Sequence, residues 1–379
     1  MKHDSLIEKY VSRRFKAEHE GGVVRYEVHV SEIANVVNEL YTAHGLPLMT
    51  IAAADMRQSG AGPGFKIFYV FGVPGECLFL APYIVLAGTT EFPSITKDIH
   101  EASMYERKIN TFFGLEPVGH PDPRPVILHE NWQSDRFPLR KDFNGKERPA
   151  LAHGTYAFHT VEGEGIYEIP VGPVHAGIIE PVHFRFSMAG EEIVRLEAKL
   201  GYKHRGVEKL FESLPLPEKV RLSERVSGDT SFTHSLAFCH ALEELAGITV
   251  SDHAAYLRVI FSEMERLANH LSDIGFILQD TGYGFGGANG ARLRERIMQW
   301  NERLSGNRYL RGLNVIGGVT KDIPGDVREH LVYESDGRDH PEVLLERHAL
   351  EEACGIARDH HLRVDEHGGD RDARMERRE

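Results

Sequence analysis

Cysteine is nearly missing from this chain: Cys77, Cys239 and Cys354 stand alone and far apart in 379 residues. Three isolated thiols supply no CxxC pair for a metal or a redox couple, and an odd number gives no disulfide framework. A reducing compartment is the expectation. Cationic charge is also in deficit, with 44 Lys and Arg against 57 Asp and Glu and a net charge of −13. That balance repels nucleic acid, and no basic run with interleaved aromatics opposes it, so no nucleic-acid partner is expected. Long apolar runs are lacking too. The longest, residues 77–88, is about half the roughly 20 residues that span a bilayer. The opening MKHDSLIEKYVSRRF holds no apolar h-region, so no secretory signal is expected, and any membrane role must come through partner subunits.

What is present suits a globular protein. Hydrophobic residues make up 41% and charged residues 27%, and the length favours two domains. In VVRYEVHV, Val24, Tyr26, Val28 and Val30 point one way while Arg25, Glu27 and His29 point the other, which predicts a strand. A helix over 31–44 follows, with Ser31 as its N-cap and Ile33, Val36, Val37 and Leu40 on one face. LMTIAAADM, FKIFYVFGV and CLFLAPYIVLAG read as further strands between turn-rich segments, and a helix over 96–113 closes the region. The first half is thus α+β, with a small mixed or antiparallel sheet. Residues 121–160 are rich in Pro, His and charge and read as an extended connector.

After a strand-rich passage the chain turns helical. In the helix expected over 252–278, Leu257, Ile260, Phe261, Met264, Leu267, Leu271, Ile274 and Leu278 form one stripe, with Arg258, Glu265, Asn269 and Ser272 largely off it and Ser251 as cap. Another helix is expected over 290–304. From about residue 336 the chain carries many Arg, Asp, Glu and His and no lysine, which suits a solvated or disordered tail or an aberrant terminus. The expected domains are 1–120, the connector 121–160, a mainly helical domain over 161–330 with a small β region at its start, and the charged tail 331–379.

Motifs then carry a resemblance. Glu106-Arg107, Phe113-Gly114, His120-Pro121-Asp122 and Pro138-Leu139-Arg140-Lys141-Asp142 follow one another in the order of the signature of the respiratory complex I 30 kDa subunit. This segment resembles that family, in which it docks against the large subunit and does no chemistry. Further on come GPVHAG (172–177), GYKHRGVEKLFE (201–212), ERVSGDTSFTHSLAFCHALE (224–243), RLANHL (266–271) and GGVTKDIP (317–324). Their order resembles the large subunit of energy-converting, membrane-bound nickel–iron hydrogenases and the complex I 49 kDa subunit. The resemblance spans about 320 residues and implies a hydrogenase-large-subunit-like helical domain truncated at its C-terminal side.

In the hydrogenases two CxxC pairs hold the metal centre through soft thiolates. Here Ser227 and Thr230 stand where the first pair belongs, and no second pair follows; hydroxyls are poor ligands for such a centre. No metal is therefore expected in this chain, and a nickel–iron centre is not expected. The resemblance implies proton transfer for Glu208 and, for His234, a place just behind the metal ligands. Asp229 is expected to occupy the vacated space; if buried there, it has a perturbed pKa or needs a partner such as Arg205 or Arg225. Together these three are the candidate proton-handling groups. His270 and Arg225 are expected to face an iron–sulfur (4Fe-4S) cluster in a partner small subunit, and His175 to line the cavity. The two quinone-binding positions of complex I fall on Ile179 and Gly228, leaving His183 or Tyr202 as substitutes if a quinone binds. The expected function is an oxidoreductase electron-transfer subunit, passing electrons from the partner cluster (ultimately from NADH, formate or ferredoxin) to a quinone-like acceptor and coupling this to ion translocation. It would sit peripherally on the cytoplasmic side of the cell membrane, above antiporter-like membrane subunits. The alternative is a non-catalytic scaffold or a truncated, inactive subunit of the same complex.

Overall fold

The computed structural model describes residues 7–58, 62, 64–147, 149–175 and 181–323, with the side chains of 173–175 outside it. Cys354 and the charged tail lie outside the described residues. The chain divides into two compact units, one up to Glu212 and one from Ser213.

In the first unit the period-two pattern becomes a five-stranded sheet. Its strands are β1 (Ala17–Glu20), β2 (Val23–Glu27), β3 (Leu48–Asp55), β4 (Phe65–Gly72) and β5 (Phe79–Leu86), in the order β1-β2-β5-β4-β3. β2 and β5 run parallel and the other neighbours antiparallel, so the sheet is mixed. Val24, Tyr26, Ile67, Tyr69, Phe71, Leu80 and Ile84 are almost wholly buried in one core, as alternation requires. Helix α1 (Ile33–Asn38) continues as a π-helical turn over Glu39–Ala43 and buries Ile33, Val36 and Val37. Its N-cap is Glu32 without a side-chain hydrogen bond, not Ser31, whose hydroxyl instead meets His29 Nδ1 at 2.8 Å.

Short strands β6 (Glu91–Pro93) and β7 (Glu116–Val118) flank helix α2 (Ala102–Phe113). The helix starts six residues later than its pattern suggests, because the preceding segment is committed to a buried carboxylate. Glu106 accepts from Ser94 Oγ at 2.5 Å, Ile95 N at 2.8 Å and Thr96 Oγ1 at 2.7 Å. The rest of the signature is equally structural. Arg107 Nε donates to Arg124 O at 2.7 Å, Arg140 Nε to Phe113 O at 2.6 Å, and Arg57 joins Asp55 to Asp142.

The boundary expected near residues 121–160 does not divide the structure; the division falls after Glu212. The reason is electrostatic. Strands β8 (Ile166–His175), β9 (Val182–Ala189) and β10 (Glu192–Lys199) form a second sheet. Arg124 Nη1 meets Glu197 at 2.6 Å, Lys199 meets Glu130 at 2.7 Å, and Tyr156 Oη donates to Glu197 at 3.0 Å, so the connector is bound to the sheet that follows it. Helix α3 (Val207–Ser213) closes the unit.

The second unit is helical, with α4 (Leu216–Ser223), α5 (Ser231–Ala246), α6 (Asp252–Asp280), α7 (Gly284–Ser305) and a hairpin of β11 (Asn314–Val315) and β12 (Gly318–Val319). Ser251 caps α6, accepting from Ala254 N at 3.4 Å. The apolar stripe of α6 buries Leu257, Phe261 and Met264 against Phe232, Ile297, Met298 and Leu313, each fully buried side chain contributing about 1.5–3 kcal/mol. Further along, Ile274 and Ile277 are 57% and 60% exposed. Arg258 and Glu265, expected off the stripe, are buried. Helix α7 begins six residues earlier than its pattern suggests.

Candidate functional site

Residues 224–230 and the start of α5 form the centre of the motif-bearing region in the second unit. A loop of Ser and Gly cannot satisfy the first N–H groups of α5 by itself, and Thr230, at the N-cap, makes no side-chain cap. Glu265 of α6 does so instead. Its carboxylate accepts from Phe232 N at 2.7 Å, Thr233 N at 3.0 Å and Thr233 Oγ1 at 2.7 Å. Burial pushes the Glu265 pKa up, and the three donors with nearby His234 only partly oppose that rise. A second buried carboxylate, Glu243 of α5, meets Arg258 of α6 at 2.6 and 2.9 Å. Arg258 Nη2 also donates to Val315 O and Gly318 O, and Gly317 N donates to Glu243 at 2.7 Å, so this pair fastens the β11–β12 hairpin. The hydrogen bonds and charge of Arg258 hold the Glu243 pKa below the usual carboxylate value despite burial.

Around this framework the expected site residues are only partly gathered. Ser227 and Thr230 are half-buried, whereas Asp229 and His234 are exposed. Asp229 is not buried: its side chain is 66% exposed. Its partner is neither Arg205 nor Arg225 but Arg294 of α7, at 3.5 Å, while Asn269 donates to its backbone carbonyl at 3.1 Å. Arg225 is 54% exposed and donates to Arg221 O at 2.5 Å, with Glu224 at 3.9 Å. His270 lies on the exposed face of α6. The cleft beside Asp229, Asn269 and Arg294 measures about 10 Å³, close to the least volume that holds one water.

Glu208 belongs to the first unit. Its carboxylate meets Lys108 Nζ at 2.5 Å. Burial alone would raise its pKa, but the Lys108 hydrogen bond and charge, the backbone and His204 outweigh it and leave the pKa below the usual carboxylate value. Glu208 is therefore ionised at neutral pH, contrary to the value near the working pH that proton transfer needs. Lys108→Met removes the largest opposing influence, so the Glu208 pKa is expected to rise. A carboxyl ¹³C NMR titration of Glu208 checks this, and an unchanged midpoint would show that Lys108 does not control it.

The remaining candidates hold structural places. His183 is buried with its ring 4.9 Å from Phe158, and burial, then Arg185 and Lys199, lower its pKa. Tyr202 packs on His129 at 4.5 Å between ring centres. The backbone of His175 pairs with Val182 at the end of β8, but its side chain and Ile179 lie outside the described residues. Burial raises the Cys239 thiol to about 11, so it stays protonated and unreactive. Among the described residues no group of three or more His, Cys, Asp and Glu is placed to hold a metal. The described donors do not fit a nickel–iron centre, which needs several thiolates: hydroxyls stand at Ser227 and Thr230, and Cys239 is a single buried thiol.

Nothing in the sequence marks Glu265, Arg294, Lys108 or the Arg258–Glu243 pair as functional on its own. One signal was available. Arg258, Glu265 and Asn269, at spacings of seven and four, lie along one seam of α6.

Fold and framework now define the class. Residues 26–149 match the family described as respiratory-chain NADH dehydrogenase, 30 Kd subunit, so the chain carries a domain of that family, followed by a large-subunit-like helical unit. Its relatives include Hydrogenase-4 component G of Escherichia coli, 36% identical over 79% of this chain and 55% of the relative. The C/D-type subunit of the NADH-quinone oxidoreductase of Bacteroides thetaiotaomicron is 32% identical over 66% and 51%, respectively. The membrane-bound hydrogenase alpha subunit of Pyrococcus furiosus is 39% identical over 44% and 38%. The chain is thus a homologue of the fused C/D-type and hydrogenase-4-type subunits of oxidoreductase complexes, and it spans about half the length of the first two relatives. Among the described residues no helix is long and apolar enough to cross a membrane.

Proposed function

We propose that this chain is an electron-transfer subunit of a membrane-associated oxidoreductase complex of the complex I, hydrogenase-4 and formate hydrogenlyase type, without a nickel–iron centre of its own. One observation carries the reading. The Glu265 cap and the Arg258–Glu243 clamp hold this helical framework in place, while Ser227 and Thr230 stand where the motif resemblance puts thiolates. In this reading a partner small subunit on the cytoplasmic side of the membrane holds the 4Fe-4S cluster, and His270 and Arg225 face it. Antiporter-like membrane subunits lie beneath, and a quinone-like acceptor takes the electrons. Glu208, His234 and Asp229 handle protons, and Glu208 does so only after Lys108 releases it. Metal analysis of the complex purified from membranes is expected to find iron and less than a tenth of an equivalent of nickel per chain; one equivalent of nickel bound by this subunit overturns the proposal.

A second reading, a non-catalytic scaffold, is favoured by the exposure of Asp229 and His234 and by the ion-paired state of Glu208. Glu208→Gln separates the two. Catalysis through this subunit requires that quinone-dependent turnover of the complex fall by at least about 100-fold, the lower end of what general acid–base groups contribute. Unchanged turnover assigns the chain to the scaffold.

A further inference from the structure

The two edges of the first sheet are guarded unequally. β1 is short and exposed throughout, and reads Ala17-Glu18-His19-Glu20, so its charges discourage a further strand. β3, at the opposite edge, runs eight residues and carries no charge before Asp55. Its ladder with β4 fixes which backbone groups face outward. Met56 N donates to Gly64 O at 2.9 Å, and Ala54, Ala52 and Thr50 pair with Lys66, Phe68 and Val70 in the same register. The even positions therefore exchange hydrogen bonds with β4, and Ile51, Ala53 and Asp55 turn their N–H and C=O groups away from it.

Contacts of two kinds mark the ends of that edge. Tyr105 Oη donates to Met49 O at 3.3 Å, and Lys141 N donates to the Asp55 carboxylate at 2.8 Å. Between them, the backbone of Ile51 and Ala53 faces a groove of about 590 Å³ walled by Tyr105 and Ile109 of α2 and Glu208 and Glu212 of α3. The charges on its rim neutralise one another, Lys108 with Glu208 and Lys141 with Glu212, both at 2.5 Å. Phe113 and Leu139 make its lining apolar, and the alanine methyls of β3 leave it open.

We propose that β3 accepts an extended, uncharged segment of a partner subunit as an added strand, a proposal that rests on the chain's membership of a complex. Backbone pairing at Ile51 and Ala53 supplies the affinity, and the neutral rim and apolar lining select the segment. A groove of this volume walled by α2 and α3 suits a single extended chain better than the sheet edge of a second copy.

Hydrogen exchange at single-amide resolution tests it, comparing the isolated full chain with the complex purified from membranes. The Ile51 and Ala53 amides are expected to exchange freely in the isolated chain and at least about 100-fold more slowly in the complex. Ala53→Pro removes an outward donor that the β3–β4 ladder does not use, so the melting temperature of the chain should hold while its incorporation into the complex falls about tenfold. Unprotected amides in an intact complex overturn the added strand and leave the functional reading standing. Protection that arises in the isolated chain together with dimerisation assigns the edge to a second copy and overturns it as well. Failure of the chain to enter any complex removes both proposals.

Discussion

Arg258→Met is expected to lower the stability of the helical unit by about 3–5 kcal/mol, because it leaves Glu243 buried and without its cation. Arg258 and Glu243 are 3% and 4% exposed, and the arginine also serves Val315 O and Gly318 O, so those two carbonyls lose a donor too. Denaturant unfolding at pH 7 measures the loss. Its pH dependence separates this cause from a packing defect. In the native protein the Glu243 pKa is lowered, so its contribution is present above the ordinary carboxylate pKa and is lost as pH falls through the folded value. In the variant, burial raises that pKa, and the penalty is fully present at neutral pH and fades as the medium is acidified. The double variant Arg258→Met, Glu243→Met is expected to recover most of the loss, since neither member of the pair is then left alone. A penalty equal at pH 5 and pH 8, with no recovery in the double variant, would refute the charge-pair account.

Gly201→Ala is the second large effect. Gly201 opens the GYKHRG motif at φ +92°, and a Cβ there would lie 2.1 Å from Ile127 O, a backbone atom that cannot step aside. Strain at the dihedral together with the overlap predicts a loss of about 3 kcal/mol or more in the first unit. Gly165 supplies the control. It has φ +77° with nothing within 4 Å of a built Cβ, so Gly165→Ala reports the backbone preference alone, about 1–2 kcal/mol. Calorimetry of the two variants gives the difference due to contact. The Gly201 variant is also expected to loosen the seat of the motif on the connector, where His129 Nε2 lies 2.7 Å from Leu200 O and its ring packs edge-on against Tyr202. Equal melting temperatures for the two variants would show that the close approach to Ile127 carries no weight.

These two residues mark where sequence reasoning stopped. Gly201 is legible as part of a motif, and the motif points to a site, but its glycine serves the approach of two backbone segments 74 positions apart (127 and 201). Arg258 reads as the polar side of an amphipathic helix, because periodicity weighs hydrophobicity and cannot see a carboxylate on another helix. Asp229 shows the reverse. A vacancy inferred from absent thiols suggests a buried acid, whereas α7 folds back to offer Arg294 at the surface. The boundary after Glu212 was hidden for a related reason: a Pro-rich stretch reads as a linker until long-range ion pairs bind it down.

The sequence by itself determined the α+β first half with its small sheet, the position of the long helix and its cap, and the order of motifs that makes the chain a homologue of 30 Kd-type and hydrogenase-4-type subunits. Each rests on local periodicity or on residue identity at fixed spacing, which a linear reading contains. Only the tertiary structure decided that Glu265 caps α5, that Lys108 keeps Glu208 ionised, that Arg258 fastens the β11–β12 hairpin, and that β3 keeps an open edge beside a groove. Those depend on which distant groups meet, and on how burial weighs against a partner's charge, and neither is fixed before the chain has folded.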